Sequence, residues 1–199
     1  MDTQEYKLRS KNEKIIHVAQ CTLLLILEHG EEGVTFSRVS RFAGVSRSWL
    51  YKYLGNTTDQ LIDFAVDYFG KLFSDLEGSK IKGTPKDWSN AIVNGIEKML
   101  QNTSEYPWII PIYFRYRGSS TVLGKRILKI ERSYLKITTD ELITIFKLDE
   151  KKAYLISQIL TSFRMGLAHT FLTGNLDNPL NKKSVLNQIK KWLWFFVKQ

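Results

Sequence analysis

Apolar residues recur along most of this chain at spacings of three and four positions, which is the period of amphipathic helices. No run of alternating apolar and polar residues is long enough to predict a strand, and the chain has only four prolines. The pattern therefore predicts an all-α protein with about nine helices and no sheet. Start and stop signals place these helices at about 12–29, 35–43, 46–54, 57–77, 85–101, 107–115, 120–146, 150–173 and 179–198, with Thr35, Ser46, Thr84 and Asp149 as N-caps.

The stretch FSRVSRFAGVSRSWLYKYL, residues 36–54, predicts two short helices joined by a tight turn. Gly44 suits a turn that needs a positive φ, and Ser46 can accept hydrogen bonds from the first turn of the second helix. An ordinary helical hairpin in a core is the alternative. The side chains left facing outward on the second helix have the chemistry of a recognition helix, which contacts bases and phosphates: Arg47, Ser48, Trp49, Tyr51 and Lys52.

The order Ala-Gly-Val-Ser followed by Leu-Tyr-x-Tyr, within residues 43–53, resembles the helix-turn-helix of the TetR family of bacterial transcriptional regulators. The resemblance extends over roughly residues 12–65. Ser40 and Leu54 stand where the family usually has Ala and Phe. The segment 55–61 lacks the Lys that usually precedes the fourth helix and is one residue longer, so the phosphate contact of that Lys is not predicted here.

The resemblance implies a DNA-binding head at 1–56, made of three helices, and a helical ligand-binding and dimerisation body at 57–199. It also implies a homodimer that binds a palindromic double-stranded operator as a repressor and is released by a small molecule. A DNA-binding structural or assembly factor on the same scaffold, without an inducer, is the alternative. The residues expected to contact DNA are Thr35, Ser37, Arg38, Ser46, Arg47, Ser48, Trp49, Tyr51 and Lys52, with Arg47 and Trp49 influencing sequence choice and Thr35, Tyr51 and Lys52 binding phosphate.

Composition agrees with an anionic partner without locating its site. The 199 residues carry a net charge of +9 and a pI near 9.5, and nucleic acid is the commonest partner for such a charge. Lys7, Arg9 and Lys11 are candidates for an arm that touches phosphates, although disorder is the favoured interpretation of that segment. Glu31 and Glu32, however, lie close to the predicted head.

Several classes of function find no support in the sequence. Cys21 is the only cysteine and is predicted to pack in the core, and His17 and His29 have no partners at metal-ligand spacing. No motif of a phosphate loop, a zinc protease or a nucleophile elbow is present, so neither an enzyme nor a cofactor is predicted. The apolar runs 21–27 and 192–197 are too short to span a bilayer, and we expect a cytoplasmic protein without a membrane partner.

An aromatic stretch, EYPWIIPIYFRYRG at 105–118, lies in the part of the chain that surrounds the ligand cavity in TetR-like proteins. Large rings with few acids suit a neutral or anionic hydrophobic effector, and Arg115 and Arg117 can hold a carboxylate or phosphate at the pocket mouth. A cationic ligand would need one of the few candidate acids, Glu97, Glu105 or Glu131. The candidate lining residues, for which simple core packing is the alternative, are Trp88, Trp108, Tyr113, Phe114, Phe163 and Met165.

The last two predicted helices are apolar on more than one face. In TetR-like proteins the corresponding pair forms a four-helix interface with a second subunit, and burial within the chain is the alternative. The candidate interface residues are Leu160, Phe171, Leu193 and Phe196.

The predicted helix 120–146 carries four cations at helical spacing, which we call the basic stripe: Lys125, Lys129, Arg132 and Lys136. A solvated face is the favoured interpretation, and a second anion-binding surface is the alternative.

Overall fold

The computed structural model describes residues 10–74, 81, 83–174 and 182–198. Within these residues the chain is entirely helical, which confirms the predicted fold class. The α-helices are α1 Lys11–His29, α2 Phe36–Phe42, α3 Arg47–Leu54, α4 Thr58–Ser74, α5 Pro85–Glu105, α6 Ile109–Tyr116, α7 Val122–Phe146, α8 Glu150–Thr173 and α9 Lys182–Lys198, with one 3-10 turn at Glu31–Gly33 between α1 and α2.

Short-range hydrogen bonds fix where the helices begin. Thr35 accepts from the amide of Arg38 at 3.1 Å, and Asp149 accepts from the amide of Lys152 at 2.9 Å. At the start of α5, Thr84 and Asp87 form a reciprocal capping box, with Pro85 at the first helical position. These N-caps were predicted because each bond spans only three residues of sequence.

The C-terminal end of α5 differs from the prediction. The helix continues to Glu105, through a polar Asn-Thr-Ser run that the sequence indicated as a loop after about residue 101. Inside the helix, the hydroxyl of Thr103 donates to the carbonyl of Met99 at 2.8 Å, and that of Ser104 donates to Leu100 at 3.1 Å. These hydroxyls thus bond to carbonyls of the preceding turn, and the helix continues through the run.

The chain forms two compact units. Unit 1 comprises Met1–Gly70 and Arg115–Ile127, and unit 2 comprises Lys71–Phe114 and Leu128–Gln199. Unit 1 therefore contains the first three helices, most of α4, the end of α6 and the start of α7. The predicted division at residue 56 is a division by role and stays a prediction.

Each unit has an apolar core. In unit 1 the core includes Cys21, whose thiol pKa is raised to about 12 by burial, so this cysteine packs as predicted. In unit 2, α5 packs against α8 and α9 around Trp88, Ile96, Met99, Leu100, Leu142, Leu160 and Leu193.

No helix among the described residues is long and apolar enough to cross a membrane. Nor does this part of the chain bring three or more His, Cys, Asp or Glu side chains together in an arrangement that could hold a metal ion.

Candidate nucleic-acid interface

The turn between α2 and α3 is built as the sequence predicts, with one addition. Gly44 has φ of 62° and Ser46 accepts from the amide of Trp49 at 3.2 Å, so the turn and the start of α3 are both fixed locally. Ser40 and Val45 form two hydrogen bonds across the turn. The hydroxyl of Ser40 donates to the carbonyl of Val45 at 2.6 Å, and the amide of Val45 donates to the carbonyl of Ser40 at 3.1 Å. Ser40 therefore reinforces the turn through its side chain.

The α3 helix buries one face and exposes the other. Leu50 and Leu54 are buried, as is Val45 in the turn between α2 and α3. Trp49 is half-buried. The predicted contact residues that lie on the surface of unit 1 are Thr35, Ser37, Arg38, Ser46, Arg47, Ser48, Tyr51 and Lys52.

Aromatic contacts hold the exposed rings of α3 in place. Tyr51 stacks on Phe36 of α2 with ring centroids 4.4 Å apart, and Trp49 lies against Tyr53 at 5.0 Å. The ammonium groups of Lys52 and Lys11 lie 5.2 Å and 4.5 Å from the centre of the Tyr53 ring. Lys11 thus joins the basic surface of α3, whereas Lys7 and Arg9 of the expected arm lie outside the described residues.

Arg38 has a structural partner. Its Nη1 donates to the carbonyl of Gly33 at 3.1 Å and so holds the 3-10 turn against α2. A guanidinium has five N–H donors, so this bond leaves Arg38 able to contact phosphate as well.

The segment between α3 and α4 is held by the side chain of Gln60. The side-chain carbonyl of Gln60 accepts from the amides of Asn56 and Thr57 at 2.7 Å and 3.2 Å, and the Thr57 hydroxyl accepts from the amide of Gln60 at 3.3 Å. Gly55, which follows the last residue of α3, takes φ of 101°, a conformation that glycine adopts without strain.

An elbow formed by residues 115–123 is hydrogen-bonded to the C-terminal end of α1. Arg115 Nη1 and the Tyr116 hydroxyl donate to the last carbonyls of α1, those of Leu27 and Ile26, at 3.0 Å and 3.3 Å. Glu31, in the 3-10 turn, accepts from the amides of Val122 and Leu123 at 3.1 Å and 2.9 Å and thereby caps α7.

The elbow changes the roles expected for two charged residues. Arg115 uses one N–H to bind the end of α1 in unit 1, and its expected place at a pocket mouth stays a prediction. Glu31, which the sequence placed close to the predicted head, binds the first turn of α7 with both of its oxygens. Further along α7, Arg126 pairs with Asp67 of α4, and this pairing raises the pKa of the guanidinium.

Trp88, one of the candidate pocket residues, belongs to a buried polar contact in unit 2. Its indole N–H donates to Glu141 at 3.1 Å, and the other oxygen of that carboxylate accepts from the amide of Ile81 at 3.1 Å. Burial raises the pKa of Glu141, and these two donors oppose the shift. Glu141 was not among the candidate acids, because its donors lie 60 and 53 residues away in the sequence.

The other candidate pocket residues form separate ring contacts. Tyr113 meets Phe114 edge to face at 5.2 Å, and Phe114, about half exposed, also meets His169. Phe163 lies against Trp192 at 6.2 Å, while Trp108 and Met165 are half-buried. The described contacts do not gather the six residues around one cavity, and their role in binding a ligand stays a prediction.

The candidate interface residues lie in different environments. Leu160 and Leu193 are buried in the core of unit 2, and Phe171 is half-buried. The side chain of Phe196 lies outside the described residues. Among the side chains of α8 and α9 that the structure describes, the large apolar ones left exposed are Tyr154, Leu155, Ile159 and Trp192.

The helix order, with a short helix-turn-helix after α1 and a longer helical body, defines the fold class of the TetR-like transcriptional regulators. Three solved structures share this fold with the chain. The fatty acid degradation regulator FadR from Bacillus halodurans has a TM-score of 0.65 and 15% identity, and the match covers 92% of this chain and 97% of that one. FadR from Bacillus subtilis, solved in complex with stearoyl-CoA, has a TM-score of 0.63 and 18% identity, and the match covers 89% of this chain and 96% of that one. A candidate TetR-family regulator from Rhodococcus sp. has a TM-score of 0.63 and 14% identity, and the match covers 94% of this chain and 99% of that one. No protein-family model and no curated protein sequence matches the chain.

Proposed function

We propose that this chain is a DNA-binding transcriptional regulator that represses through a palindromic operator as a homodimer and is released by a small hydrophobic effector. The observation that carries the proposal is the α2–α3 helix-turn-helix. Its second helix buries Leu50 and Leu54 while presenting Arg47, Ser48 and Lys52 to solvent. A helix with this division of faces can enter a major groove without disturbing its own core.

We assign base reading to the start of α3 and phosphate binding to its later residues. Arg47 lies in the first turn, which meets base edges in helix-turn-helix proteins, and Arg can bond guanine bidentately. Lys52 lies more than a turn later with Tyr51 and is assigned to phosphate, together with Thr35. Under this assignment Arg47 determines which sequence is bound, whereas Lys52 contributes affinity for any sequence.

The test is selection of binding sites from random duplex DNA, followed by affinity measurements on the selected site over a range of salt concentrations. We expect an inverted repeat with half-sites about one helical turn, or a small multiple, apart. Lys52→Ala should weaken binding to all sequences alike and reduce the slope of log K against log salt by about 1, whereas Arg47→Ala should relax sequence preference.

Lys151→Ala, an exposed lysine on α8, is the matched control and should leave both quantities unchanged. A wild-type chain that selects no site would contradict the proposed function. Relaxed specificity in Lys52→Ala with an unchanged salt slope would contradict only the division of roles.

We propose that the dimer forms on the open face of α8, which consists of Leu155, Ile159, Ser162 and Gly166. These positions follow helical spacing and are all exposed. Leu155 and Ile159 are 56% and 48% exposed, which is a large apolar area to leave in water, and a Cβ at Gly166 would meet no atom within 4 Å. Small residues beside large ones allow a second helix to approach closely.

The effector we propose is hydrophobic and neutral or anionic. The buried Glu141 already accepts an N–H on each oxygen from groups of the protein itself, so it has internal partners that do not depend on a cationic ligand. The FadR of Bacillus subtilis was solved with stearoyl-CoA, which combines an apolar chain with an anionic head group. A ligand that favours one arrangement of the elbow would act on operator binding through the bonds between the elbow and the end of α1.

A further inference from the structure

The basic stripe of α7 is a second charged surface, remote in sequence from α2 and α3. Lys125, Lys129, Arg132 and Lys136 are all exposed. On the opposite side of the same helix, Tyr134, Thr138 and Leu142 are buried. The packing of α7 therefore directs the stripe toward solvent.

The stripe has one acid on its own face. Ser133 lies close to the cations but is uncharged, and its hydroxyl donates to the carbonyl of Lys129 at 3.0 Å. Asp140 is exposed one turn beyond Lys136, at the C-terminal end of the stripe. Four cations against one terminal acid leave a net positive face over about 16 Å of helix, at a rise of about 1.5 Å per residue.

We propose that the basic stripe binds the phosphate backbone of duplex DNA independently of its base sequence. Its cations recur about every 5 Å along the axis, and each strand of a duplex presents one phosphate per about 3.4 Å. Arg132 can bond a phosphate bidentately, while the lysines act as point charges. The identity of the partner rests on the proposed function, because duplex DNA is the polyanion that a chain with this helix-turn-helix is proposed to bind.

A membrane surface fits the stripe less well. Helices that bind bilayers insert an apolar face next to their basic residues. The apolar face of α7 is occupied by the protein core, as the burial of Tyr134 and Leu142 shows. Only the charged side is left for a partner, and a rigid polyanion such as DNA can be bound by charge alone.

The experiment measures the affinity of the full-length chain for a 60-bp duplex of random sequence, by fluorescence anisotropy, at salt concentrations from about 50 to about 200 mM. The test variant is Lys129→Gln with Arg132→Gln and Lys136→Gln. The control variant removes the same charge at three exposed lysines of unit 2 outside the stripe: Lys86→Gln, Lys147→Gln and Lys190→Gln. Circular dichroism melting checks that both are folded.

We expect the test variant to bind more weakly than the control and to lose about 2.7 from the slope of log K against log salt, at about 0.9 per phosphate contact. Between about 50 and 200 mM salt, its disadvantage relative to wild type should then shrink about 40-fold. If the two variants give the same slope, the stripe is only a solvated face and the inference is overturned.

Two further measurements separate this inference from the proposed function. If wild type binds duplex DNA and Lys52→Ala weakens binding, but the stripe variant behaves as its control, only the stripe inference fails. If wild type binds no duplex DNA, both fail. Binding of wild type to phosphatidylglycerol vesicles that the stripe variant loses, without any difference between the variants on DNA, would assign the surface to lipid and overturn the inference.

Discussion

Glu141 is a buried carboxylate on α7 with one N–H donor on each oxygen. Trp88 and the amide of Ile81 are its partners, so a single side chain holds the start of α5 and the segment before it against α7. Its contribution depends on protonation, because two neutral donors compensate only part of the cost of burying a charge.

Glu141→Gln should make stability less dependent on pH. Burial raises the folded pKa of Glu141 above its unfolded value of about 4.3, so folding favours the protonated acid. This stabilisation is fully present below about pH 4.3 and is lost as the pH rises through the raised pKa. The melting temperature of Glu141→Gln relative to wild type, measured from about pH 4 to pH 8, should therefore increase across that window.

Glu141→Leu is the control for the hydrogen bonds. It leaves the indole of Trp88 and the amide of Ile81 without their acceptor and should be about 1–3 kcal/mol less stable than Glu141→Gln at every pH, since neither variant titrates at this position. A melting difference between Glu141→Gln and wild type that does not change with pH would show that burial of the charge has no effect on stability.

At the scale of elements, α8 has two apolar faces with different partners. Ile159 and Leu160 are neighbours in sequence, yet one is 48% exposed and the other 7% exposed. Leu160 belongs to the core of unit 2, whereas Ile159 belongs to the open face of α8. The two positions therefore separate assembly from folding.

Ile159→Glu should give folded monomers, because a dimer with twofold symmetry places the new charge twice in one buried patch. Leu160→Glu should lower the melting temperature strongly or prevent folding, by burying a charge among apolar side chains. Sedimentation equilibrium at micromolar concentration and circular dichroism distinguish the two results. Gln158→Glu, at an exposed position on the same helix, is the control and should remain dimeric. A monomeric wild type would contradict the proposed dimer.

At the scale of the whole molecule, the proposed regulation connects effector binding with operator binding. Coupling of this kind requires that the ligand have different affinities for the two states, and the same coupling acts in both directions. The elbow offers a physical route within unit 1, since residues on both sides of the α6–α7 junction bond to the end of α1 and to Glu31.

We expect anionic amphiphiles, with stearoyl-CoA as the first probe, to raise the melting temperature of the wild-type chain more than cationic amphiphiles of the same chain length. A ligand at about 100 times its Kd should add about 2.7 kcal/mol of stability, which a thermal shift readily detects. The same ligand should weaken binding to the selected operator. Stabilisation by cations alone, or binding that leaves operator affinity unchanged, would refute the proposed effector.

Local signals in the sequence determined the helices and the helix-turn-helix. The N-caps at Thr35, Ser46 and Asp149, and the positive φ of Gly44, each depend on residues no more than a few positions away. The outward set on α3 could be predicted for the same reason, since helical periodicity alone separates it from Leu50 and Leu54. The prediction for the end of α5 was wrong because an Asn-Thr-Ser run can either form a loop or bond back to the preceding helical turn. The sequence alone does not show which of the two is more stable.

Only the tertiary structure decided which apolar and acidic residues have which partners. Glu31 caps α7 from 91 residues away, and Glu141 meets the indole of Trp88 across 53 residues. Ile159 and Leu160 have nearly the same hydropathy, so only the packing of α8 against α5 distinguishes the exposed face from the core. Periodicity states that a face is apolar, whereas the element that covers it is determined by contacts distant in sequence.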